Sequence, residues 1–320
     1  MENLKLNNDG TFKIVQFSDL HLQDGSSLDR KTIHTMEKIL DTENPNFVVI
    51  TGDVIRGEKC KEPESIFPMS IIPMEKRNIP WAIIFGNHDE EGNITKKELM
   101  ELQLKFPNCR SRHGDENLFG VGNFELSVVN GAGKRAFALY FIDSGANAPV
   151  KIGGYDWIKR NQIDWYIQRS IELNDFNNGV PIPSLAFFHI PLPEFNELWD
   201  YHISYGNKQE AIGCPKINSG IFSAMVERKD MMGVFVGHDH INDFHGELFG
   251  IQLCYGRATG YNTYGKEGFL KGARVIVLDE NTKAFQTWIH LEDGTVIHQQ
   301  KKHTPNTNNR DPAVAYVEVQ

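Results

Sequence analysis

Short apolar runs recur along the chain at wide intervals, and their lengths decide what they are. KIVQFS (13–18), FVVI (47–50), WAIIF (81–85), SLAFF (184–188) and GVFV (233–236) are rich in β-branched and aromatic residues and too short for helices. Such runs mark strands buried on both faces of a sheet. Between them the apolar positions fall at helical spacing. From Leu28 to Asp41 the residues Ile33, Met36, Ile39 and Leu40 share one face and Pro45 closes the segment, so the first two runs read as a βαβ unit. Helices are also predicted from Ile66 to Glu75, after Thr95 as an N-cap, over NQIDWYIQRSIEL (161–173) and over GIFSAMVERKD (220–230). The texture changes at Asn123, where FELSVVN and RAFALYFIDS flank the turn GAGK as a hairpin. After His240, FHGELFG, IQLCYG, ARVIVLDE and AFQTWIHLED add short strands divided by Gly and Asn turns. The pattern predicts an α/β protein with two packed β-sheets and helices outside them.

With 320 residues, 40% of them hydrophobic and 23% charged, the chain suits one elaborate domain, expected over residues 1–298. From Gln299 through Asp311 it turns polar and rich in Pro and Asn, which predicts a frayed tail over 299–320. The closing AVAYVEV alternates as an edge strand would. No apolar run approaches the roughly 20 residues of a membrane span. The start, MENLKLNNDGTF, has neither the basic nor the apolar region of a secretory signal, so the cytoplasm is the expected location, with no membrane partner. Lys plus Arg number 33 against 42 Asp plus Glu, and the net charge of -9 disfavours nucleic acid as a partner. Cys60, Cys109, Cys214 and Cys254 make no C-x-x-C pair, so neither a zinc ribbon nor a disulfide frame is expected.

Chemistry enters at the strand ends. Asp19-Leu20-His21 follows the first run, Gly52-Asp53 the second, Gly86-Asn87-His88-Asp89 the third, His189 the fourth and Gly237-His238-Asp239-His240 the fifth. Loops after parallel strands gather on one edge of a sheet, so these distant residues converge. Asp19, His21, Asp53, Asn87, His189, His238 and His240 offer imidazole, carboxylate and amide oxygen without thiolate. That donor set suits borderline divalent cations, Mn, Fe or Zn first and Co or Ni also. The seven exceed what one open catalytic ion needs, and a carboxylate such as Asp53 can bridge two ions. His34, His113 and His298 stand alone and read as solvated or internally satisfied rings.

In their order these five blocks resemble the calcineurin-like metallophosphoesterase superfamily, over roughly residues 13 to 250. The resemblance implies a four-layer α/β/β/α sandwich of two mixed sheets flanked by helices. It implies one ion held by Asp19, His21 and His240, a second held by Asn87, His189 and His238, and Asp53 bridging them. It also implies that His88 meets the substrate phosphoryl group with support from Asp89. The expected reaction is hydrolysis of a small phosphate mono- or diester by a hydroxide that two divalent ions share. His88 would stabilise transition-state charge or protonate the leaving oxygen.

The texture of FSDLHLQD, GHDHINDF and YGRATGYNTYG is most similar to the branch with the small purple acid phosphatase-like proteins. One departure stands out. Arg56 occupies the position, three residues after the bridging Asp, where purple acid phosphatases place a tyrosine ligand. Two aromatic-rich segments are candidates for substrate contacts: Arg257, Tyr261 and Tyr264 in 256–265, and Tyr201 in the long segment after His189. A plain surface turn and a covering helix are the competing readings of these segments. A nuclease and an inactive scaffold on the same fold are the competing readings of the whole.

Overall fold

The computed structural model describes residues 4–305. After β1 (Leu4–Lys5) and β2 (Thr11–Phe17), α1 (Ser27–Glu43) returns the chain to β3 (Phe47–Thr51). β2 and β3 run parallel, with Val15 beside Val48 and Phe17 beside Ile50, as a βαβ unit requires. Asn44 ends α1 in a left-handed conformation and gives its N–H to the Leu40 carbonyl. The single helix expected from 66 to 75 is instead three short turns, α2 (Pro63–Ile66), a 3-10 turn (Phe67–Ser70) and α3 (Ile72–Glu75). Each has a proline in its first turn, Pro63, Pro68 and Pro73, and a ring that lacks an N–H restarts a helix rather than continuing it. β4 (Trp81–Ile84) then adds in parallel to β3. α4 (Lys96–Gln103) opens on a reciprocal cap between Thr95 and Glu98.

The hairpin of β5 (Phe124–Val129) and β6 (Arg135–Phe141) builds onto β1, which pairs in parallel with β5 in the second sheet. It continues through α5 (Arg160–Phe176), β7 (Ser184–Phe187), α6 (Glu194–Tyr201), β8 (Ser204–Tyr205), α7 (Ile221–Arg228) and β9 (Met231–Val236). The remaining strands are β10 (His245–Leu248), β11 (Ile251–Tyr255), β12 (Gly272–Asp279), β13 (Ala284–Leu291), β14 (Val296–Ile297) and β15 (Lys302–His303). One sheet has six strands in the order β14-β13-β12-β2-β3-β4, the other nine in the order β1-β5-β6-β7-β9-β11-β10-β8-β15. Both are mixed.

Alternate residues of the parallel strands serve two cores, which is why β3 and β4 are buried on both faces. Ile14, Phe47, Val49 and Ile84 pack toward the second sheet, where the Phe47 and Phe141 rings meet at 6.4 Å. Val15, Phe17, Val48, Ile50 and Ile83 pack outward with Met36, Ile39 and Leu40 of α1 and with Leu99 and Met100 of α4. On the far side, Ile163, Tyr166 and Leu173 of α5 and Phe222 and Met225 of α7 join the core of the nine-stranded sheet. The result is the α/β/β/α layering, with each buried large side chain contributing about 1.5–3 kcal/mol.

Residues 299–305 differ from the expected fraying: β15 pairs with β8, and the His303 ring stacks on Trp199 at 3.8 Å. The proposed edge strand AVAYVEV lies outside the described residues. No helix among the described residues is long and apolar enough to cross a membrane.

Candidate metal centre

The loops after β2 and β3 lie side by side, because Asp19 N–H bonds the Gly52 carbonyl at 3.1 Å and His21 N–H bonds the Asp53 carbonyl at 2.9 Å. Asp19, His21, Asp53 and His238 all adopt left-handed backbone, with φ of 55°, 48°, 51° and 79°. Such conformations are costly for residues with a side chain and persist only where surrounding bonds hold them. Two motif glycines answer to close approach rather than flexibility. A Cβ on Gly86 would lie 2.1 Å from Asp53 Oδ1, and one on Gly52 would lie 2.6 Å from His189 Nδ1.

Two groups of donors result, Asp19, His21, Asp53 and His240 in one and Asp53, His189 and His238 in the other. Within each, the ligand atoms lie within 4.8 Å of one another and every residue is buried. His21 Nε2 stands 3.2 Å from His240 Nε2, and His189 Nε2 stands 3.2 Å from His238 Nδ1. Asn87 Oδ1 joins the second group at 3.2 Å from His189 Nε2. Asp53 is common to both: its Oδ2 faces His189 Nε2 at 3.2 Å and His21 Nε2 at 3.5 Å. Oδ1 accepts the His88 backbone N–H at 2.9 Å, whereas Oδ2 is buried and has no hydrogen-bond partner among the described residues. A buried carboxylate oxygen left so is expensive, and a cation on either side of it supplies what is missing. The residues therefore fit a pair of metal ions bridged by Asp53.

Protonation suits the same purpose. Burial drives His21 and His238 down to about 3, so both rings are neutral and offer lone pairs. For His189 burial again opposes charge, yet the Asp53 carboxylate beside it lifts the ring to about 9, which puts a proton where a cation would sit. Burial opposes ionisation of Asp53 too, but His189 and His21 hold it well below the usual carboxylate range. Asp19 is likewise held low against burial, by its hydrogen bond and attraction to His240. His189 Nδ1 donates to the Thr51 carbonyl at 2.7 Å, and His240 Nδ1 bonds the Thr263 hydroxyl. Outer bonds of this kind fix which nitrogen faces the metal.

The other expected site residues divide. His88 is half-buried beside the centre, its ring 5.1 Å from that of His21. Its Nδ1 pairs with Glu91 Oε2 at 2.6 Å and not with Asp89. Asp89 turns inward, accepting the backbone N–H groups of Asp53, Val54, Ile55 and Gly86. It is the clamp of the Asp53 loop. Tyr264 stacks on His240 at 4.1 Å. Arg257 is buried and its guanidinium is committed to Asp243, the Leu270 carbonyl and the Phe269 ring, which leaves it no reach to a phosphate. The Tyr261 hydroxyl bonds Glu292 and Thr35, and Tyr201 lies exposed at the end of α6, so neither is brought to the ligands. Arg56 pairs with Glu58. Sequence reasoning missed Glu91, Thr263 and Tyr155, whose ring meets His238 edge-on at 4.2 Å. Only Glu91, three residues after His88, carried a signal, since an acid at that spacing can reach the ring.

Comparison with known proteins bears on the same loops. A model of the calcineurin-like phosphoesterase family matches residues 12–242. The chain is 36% identical to a protein of Arabidopsis thaliana named probable inactive purple acid phosphatase 29, over 91% of this chain and 85% of that one. It is 34% identical to phosphatase DCR2 of Saccharomyces cerevisiae, over 91% of this chain and 55% of the yeast protein. A dimetal phosphatase from Danio rerio superposes with a TM-score of 0.59 over 86% of this chain and 98% of that chain, and at 11% identity this likeness speaks to the fold alone. The chain belongs to the calcineurin-like phosphoesterase family, with its likeness running to members named for purple acid phosphatases.

Proposed function

We propose that the protein is a dinuclear metal-dependent hydrolase of small phosphate mono- or diesters. The observation that carries this reading is the buried Asp53 carboxylate, shared by two groups of ligands and facing a histidine of each through Oδ2. Asp19, His21 and His240 would hold one ion, Asn87, His189 and His238 the other, and Asp53 both. When bound, two such ions supply Lewis acidity toward phosphoryl oxygens and lower the pKa of water. The protein's own part is then orientation and proton handling. Glu91 holds His88 through Nδ1, leaving Nε2 to donate to a phosphoryl or leaving-group oxygen beside His21. The donor set, without thiolate, favours Mn, Fe or Zn, with Co or Ni acceptable.

A second reading has a specific observation behind it: relatives such as the Arabidopsis protein are named as inactive. On that reading the chain is a scaffold that retains its ligand loops. Turnover of p-nitrophenyl phosphate and of its bis ester, measured with each metal in turn, separates the two. Hydrolysis that is lost in His88→Ala supports the enzyme. A protein that binds both ions and hydrolyses neither ester is the scaffold.

A further inference from the structure

Both histidines of the last ligand loop meet a tyrosine. Tyr155, from the segment after β6, stands edge-on to the His238 ring with centroids 4.2 Å apart. Tyr264, from the loop joining β11 to β12, stacks on the His240 ring at 4.1 Å with 26° between the planes. His238 belongs to one ligand group and His240 to the other, so an aromatic ring stands beside each half of the centre.

The Tyr264 ring is held by its hydroxyl, and the backbone that carries Tyr155 is pinned on both sides. The Tyr264 hydroxyl donates to Glu210 Oε2 at 2.7 Å, and Glu210 Oε1 accepts the Ile241 N–H at 2.8 Å, which ties the ring to the residue next to His240. Tyr155 is bracketed by two backbone bonds, Ala148 N–H to the Gly154 carbonyl and Asp156 N–H to the Ala146 carbonyl, both 2.9 Å. Tyr264 is nevertheless 53% exposed and Tyr155 only half-buried, so ring surface stays open beside the ligands. The Tyr264 ring, bonded through its hydroxyl and stacked on His240, has already lost most of its rotational freedom. A planar group that stacks on it gains contact with little further ordering cost.

Charge narrows the class. The Glu210 carboxylate, bonded to the Tyr264 hydroxyl and to the Ile241 N–H, stands at the edge of this site. An anionic ring entering here meets like charge, whereas a neutral one does not.

We propose that Tyr155 and Tyr264 form a leaving-group subsite beside the metal centre, selecting phosphate esters whose leaving group carries a planar, uncharged ring. This rests on the hydrolase reading above and adds the substrate class to it. Phenylphosphonate and methylphosphonate present the same phosphonate head on a carbon that resists hydrolysis, so their affinities for the metal-loaded protein read the subsite whether or not turnover occurs. Calorimetry is expected to give phenylphosphonate the tighter binding by about fivefold to tenfold, the scale of one or two aromatic contacts. A 4-carboxyphenyl phosphonate should lose most of that advantage. In Tyr155→Leu and Tyr264→Leu the phenyl-to-methyl ratio should fall toward one, with ion content checked alongside. Tyr264→Phe, which keeps the ring and loses only the Glu210 bond, should retain most of it. Equal affinities in the wild type, or a ratio that survives in both leucine variants, overturns the proposal. Failure to hydrolyse both p-nitrophenyl phosphate and its bis ester sinks the hydrolase reading instead, and the phosphonate ratio still decides the subsite.

Discussion

Replacing Asp89 by Asn tests how the centre is held without touching a ligand. Its Oδ1 accepts the N–H groups of Val54 and Ile55 at 2.8 and 3.1 Å, and its Oδ2 those of Asp53 and Gly86 at 3.0 and 2.7 Å. An asparagine has one acceptor oxygen and one NH2, so whichever way it turns, two of these four donors face another donor. Each buried donor left unpaired costs about 1–3 kcal/mol, giving about 2–6 kcal/mol in all, a large part of the roughly 5–15 kcal/mol that stabilises a folded chain. With an unfolding entropy of about 2.1 cal/mol/K per residue, 320 residues translate that loss into a fall in Tm of about 3–9 °C. Thermal unfolding followed by circular dichroism, in excess chelator, removes the contribution of metal binding. Burial, with the Asp53 charge added, pushes the Asp89 carboxyl up to about 7, so the scans belong at about pH 8, where the wild-type group is ionised. Because Asp53 sits at a φ of 51° and loses one of its anchors, divalent ion content after dialysis should fall as well. An unchanged midpoint in chelator together with unchanged ion content would refute the clamp.

Three further outcomes are expected. His88→Ala should lower turnover about a hundredfold or more while both ions stay bound, and loss of ions with activity would make His88 a ligand. Glu43, although its burial favours the neutral form, is held at about 2 against a usual 4.5 by donors on His290, Trp288 and Lys13. Its stabilisation is therefore complete above pH 4.5 and lost as pH falls toward 2. Glu43→Gln should cost about 2–3 kcal/mol near neutral pH in denaturant titrations, screening allowed for, and a deficit that did not shrink with acid would contradict this. Loaded with iron, the protein should lack an intense visible tyrosinate band, since Arg56 pairs with Glu58 and the hydroxyls of Tyr255 and Tyr261 are bonded to Asp239 and Glu292. A purple preparation that bleaches on mutation of a tyrosine would overturn that.

The ligand loops were legible because local chemistry wrote them: an apolar run, a glycine and a donor, repeated at strand ends that topology brings together. The βαβ units and the hairpin were legible for the same reason, their periodicity being set by burial. What the sequence concealed were facts of tertiary partnership. Arg257 looks like a phosphate grip until Asp243 and Phe269 are seen to enclose it, and Asp89 looks like support for His88 until its carboxylate is seen to face four backbone donors. Tyr155 had no motif to announce it, because its place beside His238 depends on how the segment after β6 crosses the sheet edge. The prolines of 63–75 were visible, and their phase within three separate first turns was not. The attachment of 299–305 depends on β8 and Trp199, about a hundred residues earlier in the chain.

The central claim, that one carboxylate serves two ions, is tested most directly by elemental analysis of the metal-replete wild type beside Asp53→Asn. Two divalent ions per chain are predicted in the wild type, with both occupancies falling in the variant, because the amide keeps one oxygen and loses the charge that His189 and His21 both face. A single ion in the wild type, or two ions retained in full by Asp53→Asn, would contradict the account.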